Sequence, residues 1–423
     1  MGGAGKTLVQ FGAGSIGRSL VGQLFSAADY AVVFVDTVPE IIAALNSRGK
    51  YLVRIKDTLA PGQPAEIVVA NVRGINAGDV EAVAAAVAGA DVISTAVGAA
   101  VLPALYPVLA RGIAMRTTPV SLLLCENLRD VAAGVRAGVT RLLPAGFDVA
   151  ARIGFVETSI GKMVPIMPPE VRARDPLEVW AEAYNEIIAD QDGFVGPIPR
   201  VPGLVLKRNF AAYVDRKLFV HNLGHAAAAY LGFLAGKTMI WECMDDQAVC
   251  AHTRRVMQAS AVALAAAYPQ EFSTHTLDEH INDLLRRFHN RALGDTVYRV
   301  GRDLARKLAP DDRCIGALRL VVRHGGDPAP VCRVIAAAFL FNAAGPDSTR
   351  LPGDVAITLR AQAEGIAPLL REVCGFDSRK DAALITRIVE DYAALEAGAG
   401  EHKRPGGAEE CCHAFQRVEG DGQ

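Results

Sequence analysis

One short run carries three residue types that together suit the interconversion of an alcohol and a ketone: Asp215-Arg216-Lys217-Leu218-Phe219-Val220-His221-Asn222-Leu223-Gly224-His225-Ala226. That chemistry needs a base for the hydroxyl proton, donors for the oxygen as it gains charge, and an acceptor for hydride. A lysine serves as the base when burial and nearby positive charge bring its pKa from about 10.4 toward roughly 7–8. Arg216 is one source of such charge. Asn222 can donate to the carbonyl oxygen, and His225 can bind a substrate hydroxyl. The run lies in a predicted helix over 210–235. At about 100° per residue, Lys217, Asn222 and His225 fall within an arc of about 140° and can face one cleft. Gly224 leaves room for a ligand or another backbone. The same spacing fits a plain helix with a surface lysine, a capping Asn and a packed His, and spacing alone favours that plainer reading.

A second basic group follows at Arg299-Val300-Gly301-Arg302-Asp303-Leu304-Ala305-Arg306-Lys307, with Arg313 beyond it. Guanidinium forks match phosphate oxygens, but a solvated helix face has the same composition, and position does not decide between them. His275, His280 and His289 are too loosely spaced for metal ligands. The eight cysteines contain no CxxC pair, so neither a zinc ribbon nor a thioredoxin motif is indicated.

A hydride acceptor requires a dinucleotide site, and the N-terminal half spells one out. The apolar run Thr7–Phe11 reads as a buried parallel strand. It leads into Gly12-Ala13-Gly14-Ser15-Ile16-Gly17-Arg18, a GxGxxG turn opening a helix, and a second strand over 31–35 ends at Asp36, 19 residues after Gly17. Gly12 permits the tight turn, Gly14 the approach of the pyrophosphate, and Gly17 the close packing of helix on strand. The helix N-terminus supplies N–H groups for phosphate. Asp36 can accept the adenosine ribose hydroxyls and would repel a 2′-phosphate, which favours NAD over NADP. The Gly2–Thr7 segment echoes a P-loop but lacks its first glycine and a preceding strand; it reads as a disordered start.

Strands and helices then alternate. Helices are predicted over 38–49 and 79–89 and strands over 66–72, 91–98 and 120–125, the pattern of a doubly wound sheet. Thr95-Ala96-Val97 form a small-residue loop where the nicotinamide ribose would pass, and Asn127 falls just outside the carboxyl end of a strand. There it either caps the next helix or serves a ligand, with equal weight. Residues 151–200 read as transitional. The proline-rich run 197–202 is the best linker, and helical spacing follows over 252–268, 277–289, 329–341, 355–371 and 378–396. Ser378 and Asp381 resemble a capping box. The expected organisation is α/β: a Rossmann-type domain over 1–196, a mostly α-helical substrate domain over 203–397, and a disordered tail over 398–423 holding Cys411, Cys412 and His413. A net charge of −2 gives no reason to expect nucleic acid or an anionic membrane as partner. With no signal peptide or spanning segment in view, a soluble cytoplasmic protein is expected.

Taken together, these segments resemble the long-chain polyol dehydrogenase family. The likeness runs over about residues 7–396 and is carried by Phe11–Arg18, Thr95–Gly98, Cys125-Glu126-Asn127, Asp175–Val179, Arg216–Ala226 and Arg299–Lys307. Its specific signature is Lys-x4-Asn-x2-His. The resemblance implies an enzyme without metal that uses NAD. Lys217 would be the acid/base, Asn127 and Asn222 would hold the reacting oxygen, and His225 would position the substrate. Arg299 and Lys307 match substrate-contacting positions. Arg302 and Arg306 lie where relatives acting on free polyols tend to lack basic residues, so the resemblance implies a phosphosugar substrate. Relatives using phosphorylated hexitols interconvert fructose 6-phosphate and mannitol 1-phosphate. Monomers and homodimers both occur among relatives. Where the family usually has an acidic residue followed by Arg, this chain has Gly161-Lys162, a departure that bears on the sugar configuration. The competing readings are a free-polyol dehydrogenase, a hexuronate reductase and, least supported, a non-catalytic NAD-binding sensor.

Overall fold

The computed structural model describes residues 5–57, 59, 62–165 and 167–402. Strands β1 (Thr7–Phe11), β2 (Ala31–Asp36), β3 (Lys50–Ile55), β4 (Glu66–Ala70), β5 (Val72–Asn76) and β6 (Val92–Thr95) are followed by β7 (Val120–Leu124), β8 (Ile153–Ile160), β9 (Val179–Ala181), β10 (Ile187–Asp190) and β11 (Leu204–Lys207). Eight of them form one sheet in the order β11-β10-β8-β7-β6-β1-β2-β5. From β5 to β8 all neighbours are parallel. β10 runs antiparallel to β8, and β11 is parallel to β10.

Alternate residues of these strands feed two separate cores. Leu8, Val32, Phe34, Val92 and Leu123 point to one face. Val9, Phe11, Val33, Val35 and Ile93 point to the other. Burial on both faces is what makes these strands continuous apolar runs, and it bears out the doubly wound expectation. A smaller sheet, β4-β3-β9, packs beside the first.

Two strand expectations need correction. The run 66–72 is two strands in two sheets: Asn71 adopts φ 56°, a left-handed turn that Asn tolerates, and this ends β4 so that β5 can join β2. Residues 151–200 are not merely transitional. β8 is a full parallel partner of β7, hidden from pattern reading by its mixed Val-Glu-Thr-Ser sequence. The run 197–202 connects β10 to β11, so the large sheet continues to Lys207.

From Phe210 onward the described chain is mostly helical around a third core. Phe210–Arg216, Lys217–Asn222 and Leu223–Leu234 form one continuous rod whose middle segment is π-helical. Gly224 admits the neighbouring helix Gln247–Ala267, because a Cβ there would meet Met257 Sδ at 2.5 Å. The expected helix over 355–371 is two, Pro352–Glu364 and Ala367–Glu372, parted at Gly365 with φ 71°. The cap expected from Ser378 is supplied one residue earlier. Asp377 accepts the Arg379 and Lys380 N–H groups, and Asp381 accepts the Asp377 N–H. The last helix, Ala382–His402, runs past the expected end at 396. Gly2–Ala4 and the Cys411, Cys412, His413 group lie outside the described residues. No helix among the described residues is long and apolar enough to cross a membrane.

Candidate active site

The glycine turn behaves as its spacing requires. Gly12 has φ +90°, and a Cβ there would lie 2.4 Å from the Ala96 carbonyl oxygen. A Cβ on Gly17 would lie 2.1 Å from the Gly12 oxygen, whereas one on Gly14 would meet nothing within 4 Å. Gly14 thus faces open space at the helix start, with Ser15 and Ile16 partly exposed beside it, as a dinucleotide phosphate needs. Asp36 closes the turn at the end of β2, where its carboxylate accepts the Ala13 N–H at 2.7 Å and the Val38 N–H at 3.0 Å. The residues present therefore fit a dinucleotide with free ribose hydroxyls. Arg18 is different. Its buried guanidinium donates to the Pro176 carbonyl at 2.8 Å, so its side chain belongs to the scaffold.

The Thr95-Ala96-Val97 loop is held from below by Glu126, whose two oxygens take the Val97 N–H at 3.0 Å and the Gly98 N–H at 2.8 Å. Sequence reasoning gave Glu126 no role. Its signal, an acid at the end of β7 facing a loop at the end of β6, becomes legible only once the two strands are known to be neighbours.

Beside Glu126, Asn127 meets the helical rod: its Oδ1 accepts from Lys217 Nζ at 2.9 Å. The contact is braced two residues out on each side by an ion pair between Arg129 and Asp215; Asp215 also accepts the Tyr268 hydroxyl at 2.7 Å. Burial, with a smaller contribution from Arg313, brings the Lys217 pKa down to about 8. Arg216, the source of charge expected from the sequence, does not act on it. Lys217 and Asn222 open and close the π-helical turn. Its i→i+5 bonding brings the two nearer one face than the arc of an α-helix would, and both line the same two cavities.

His225 stacks on Phe288, rings 4.7 Å apart and 11° from parallel. Its Nε2 lies 3.6 Å from Asp295 and has no hydrogen-bond partner among the described residues. Burial first, then the surrounding arginines, push its pKa to about 3, so the ring is neutral. His221, next to it and also lining the cleft, is held neutral in the same way.

The basic segment divides. Arg299, Arg306 and Lys307 line the main cavity, about 430 Å³, together with Lys217, His225 and Gly161-Lys162. Arg299 is ion-paired with Asp295, and Arg306 with Asp303 at 2.5 Å. Lys307 is buried, donates to the Arg302 carbonyl, and has its pKa lowered to about 7 by burial and by Arg313 and Arg306. Arg302 is not brought into the cleft: its guanidinium lies over the Tyr298 ring on an exposed surface. A left-handed Asp303, φ 74°, turns the chain between the helices Val297–Gly301 and Leu304–Lys307 and sends the two arginines different ways. Six cations (Lys162, Lys217, Arg299, Arg306, Lys307, Arg313) line this cavity against two carboxylates, Glu126 and Asp295. A second cavity of about 310 Å³ shares Asn127, Lys217, Asn222, Arg306 and Arg313 with it.

A dinucleotide cradle opening toward a lysine with a lowered pKa, across the joint of sheet and helices, defines an oxidoreductase of the Rossmann type. The chain belongs to the mannitol dehydrogenase family of NAD-dependent polyol dehydrogenases, whose Rossmann domain matches residues 6–203 and whose C-terminal domain matches 209–396. It is 35% identical over 340 residues to mannitol-1-phosphate 5-dehydrogenase of Brevibacillus brevis, covering 79% of this chain and 86% of that one. Its fold is similar to that of Pseudomonas fluorescens mannitol 2-dehydrogenase, solved with NAD and D-mannitol (TM-score 0.70, 16% identity, 94% and 93% of the two chains). A D-sorbitol dehydrogenase is similar to the same degree (TM-score 0.75, 16% identity, 93% of each chain).

Proposed function

We propose that this enzyme interconverts mannitol 1-phosphate and fructose 6-phosphate, with Lys217 as the acid/base. The observation that carries the phosphate reading is the charge of the cleft. Three of the six cations that line it, Lys162, Lys217 and Lys307, have no ion-pair partner among the described residues, a costly arrangement around a neutral sugar, because ammonium groups out of water need counter-charge. A phosphate monoester supplies it. The Brevibacillus relative bears the name of the corresponding activity.

The roles follow from what each side chain has free. A neutral Lys217 amine accepts the proton of the reacting hydroxyl, and its ammonium returns it in the reverse direction. With Oδ1 engaged by Lys217, the NH2 of Asn127 is left to donate to the reacting oxygen, and the Asn222 amide offers a second donor from across the cleft. His225 lines the cleft as a neutral ring, with its Nε2 buried beside Asp295, and it is assigned the positioning of the substrate. Gly12–Gly17, Asp36 and the loop held by Glu126 would hold NAD, which when bound supplies the acceptor or donor of hydride.

The test is the initial rate of NADH oxidation with fructose 6-phosphate, beside free fructose and beside NADPH. The expected result is turnover with NADH and the ester, with kcat/KM at least about a hundredfold above that for fructose, the scale of two charge-assisted contacts. Equal rates with free fructose would place the enzyme among the free-polyol dehydrogenases. Turnover of a hexuronate instead would assign the cations to a carboxylate.

A further inference from the structure

The cleft's cations are not equivalent. Its three arginines are already committed: Arg299 to Asp295, Arg306 to Asp303 and Asp312, and Arg313 to Asp312. Its three lysines have no ion-pair partner among the described residues. Lys217 is taken up by the chemistry, and Lys307 touches the Arg302 carbonyl. Lys162 donates one proton to the Asn185 amide oxygen at 3.0 Å, which leaves two of its three donors. It is only 7% exposed, yet it lines the cavity. The nearby acid, Glu182, does not neutralise it by contact. Its two oxygens are held by Arg287 at 2.6 and 2.8 Å, and one also takes the Met163 N–H.

Gly161, just past the end of β8, lines the same wall, at the carboxyl ends of the strands where ligands of such folds bind. A Cβ built there would come no nearer than 3.7 Å to Tyr184 and 3.8 Å to His221. The wall thus has side-chain room at 161 that the chain leaves empty, next to an unpaired buried ammonium.

We propose that Gly161 and Lys162 form the anion-selecting wall of the cleft, Lys162 donating to the oxygens of the substrate's phosphate monoester and Gly161 leaving the room they occupy. The proposal rests on the phosphosugar reading above and assigns that anion to a particular pair of residues. Burial holds the Lys162 pKa down at about 8, the state expected of an ammonium waiting for a counter-ion.

A Cβ at 161 meets nothing nearer than 3.7 Å, so Gly161→Asp brings a carboxylate to this wall, Gly161→Asn brings a neutral group of the same shape, and Lys162→Gln removes the cation. Melting temperatures report that each variant folds. With fructose 6-phosphate, Gly161→Asp and Lys162→Gln are expected to raise KM by about ten- to a hundredfold, with kcat changed much less. Gly161→Asn should raise it by no more than a few-fold. If the wild type prefers the ester but both charge-altering variants keep that preference, the wall is not the anion site and the phosphosugar reading stands without it. Equal losses in Gly161→Asn and Gly161→Asp overturn the electrostatic role. A wild type indifferent to the phosphate overturns the reading and the proposal together.

Discussion

Two π-helical turns lie at the two working parts of this molecule, Gly17–Gly22 beneath the cofactor cradle and Lys217–Asn222 above the substrate cleft. They are used in opposite ways. All six residues of the first are buried, and what faces the ligand is the turn before it, built of backbone and absent side chains. The second carries its chemistry on side chains, with Lys217 at one end and Asn222 at the other. A site made of backbone is specified by a few closely spaced glycines. A site made of side chains depends on partners brought from elsewhere: Asn127 from the end of β7, Gly161-Lys162 from the end of β8, and Lys307 and Arg313 from the helical half. Substitutions should therefore separate the two ends.

The largest effect is expected at Lys217. Lys217→Ala should lower kcat by about 10²–10⁴-fold, the usual contribution of a general acid/base. NADH affinity, followed by fluorescence titration, should stay close to wild type. A joint loss of turnover and cofactor affinity would break the separation.

At the other end, Asp36→Ala should act on cofactor choice and not on the sugar. Removing the charge that opposes a 2′-phosphate should move the NADH/NADPH ratio of kcat/KM toward NADPH by about ten- to a hundredfold, with KM for the sugar unchanged. The variant also loses the bonds to Ala13 and Val38, so its melting temperature should fall, by an amount corresponding to roughly 1–2 kcal/mol.

The smallest effects concern the basic segment. Arg306, half-exposed and already paired, should raise the sugar KM about fivefold when changed to Ala, the scale of a screened contact of roughly 1 kcal/mol. Arg302→Ala should change it by less than about twofold, because that guanidinium lies outside the cleft.

How much the sequence disclosed follows the same division. The three glycines and Asp36 could each be given a job from local spacing, because each job is local: a positive φ, an open approach, a close crossing, a carboxylate at a strand end. Lys217, Asn222 and His225 could be placed on one helix but not lifted above the plainer reading, since nothing local shows that Asn127 meets Lys217 or that Arg313 lowers its pKa. Arg302 and Arg306 looked equivalent until the left-handed Asp303 parted them. Glu126 stayed silent because its partners, the Val97 and Gly98 N–H groups, lie on a neighbouring strand's loop. The long strand β8 was missed because polar residues interrupt its apolar pattern, although Gly161 and Lys162 follow directly from its carboxyl end.

The central claim is that Lys217 exchanges the proton of the reacting hydroxyl, and kcat against pH in both directions tests it most directly. With the pKa lowered to about 8, the neutral amine that oxidation requires is scarce below that pH. Oxidation should therefore rise about tenfold per pH unit and level off above pH 8. Reduction requires the ammonium, so it should be flat below about pH 8 and fall about tenfold per unit above it. Mirrored profiles that vanish in Lys217→Ala are the predicted result. Profiles of the same shape in both directions, or a Lys217→Ala enzyme with full turnover, would contradict the account.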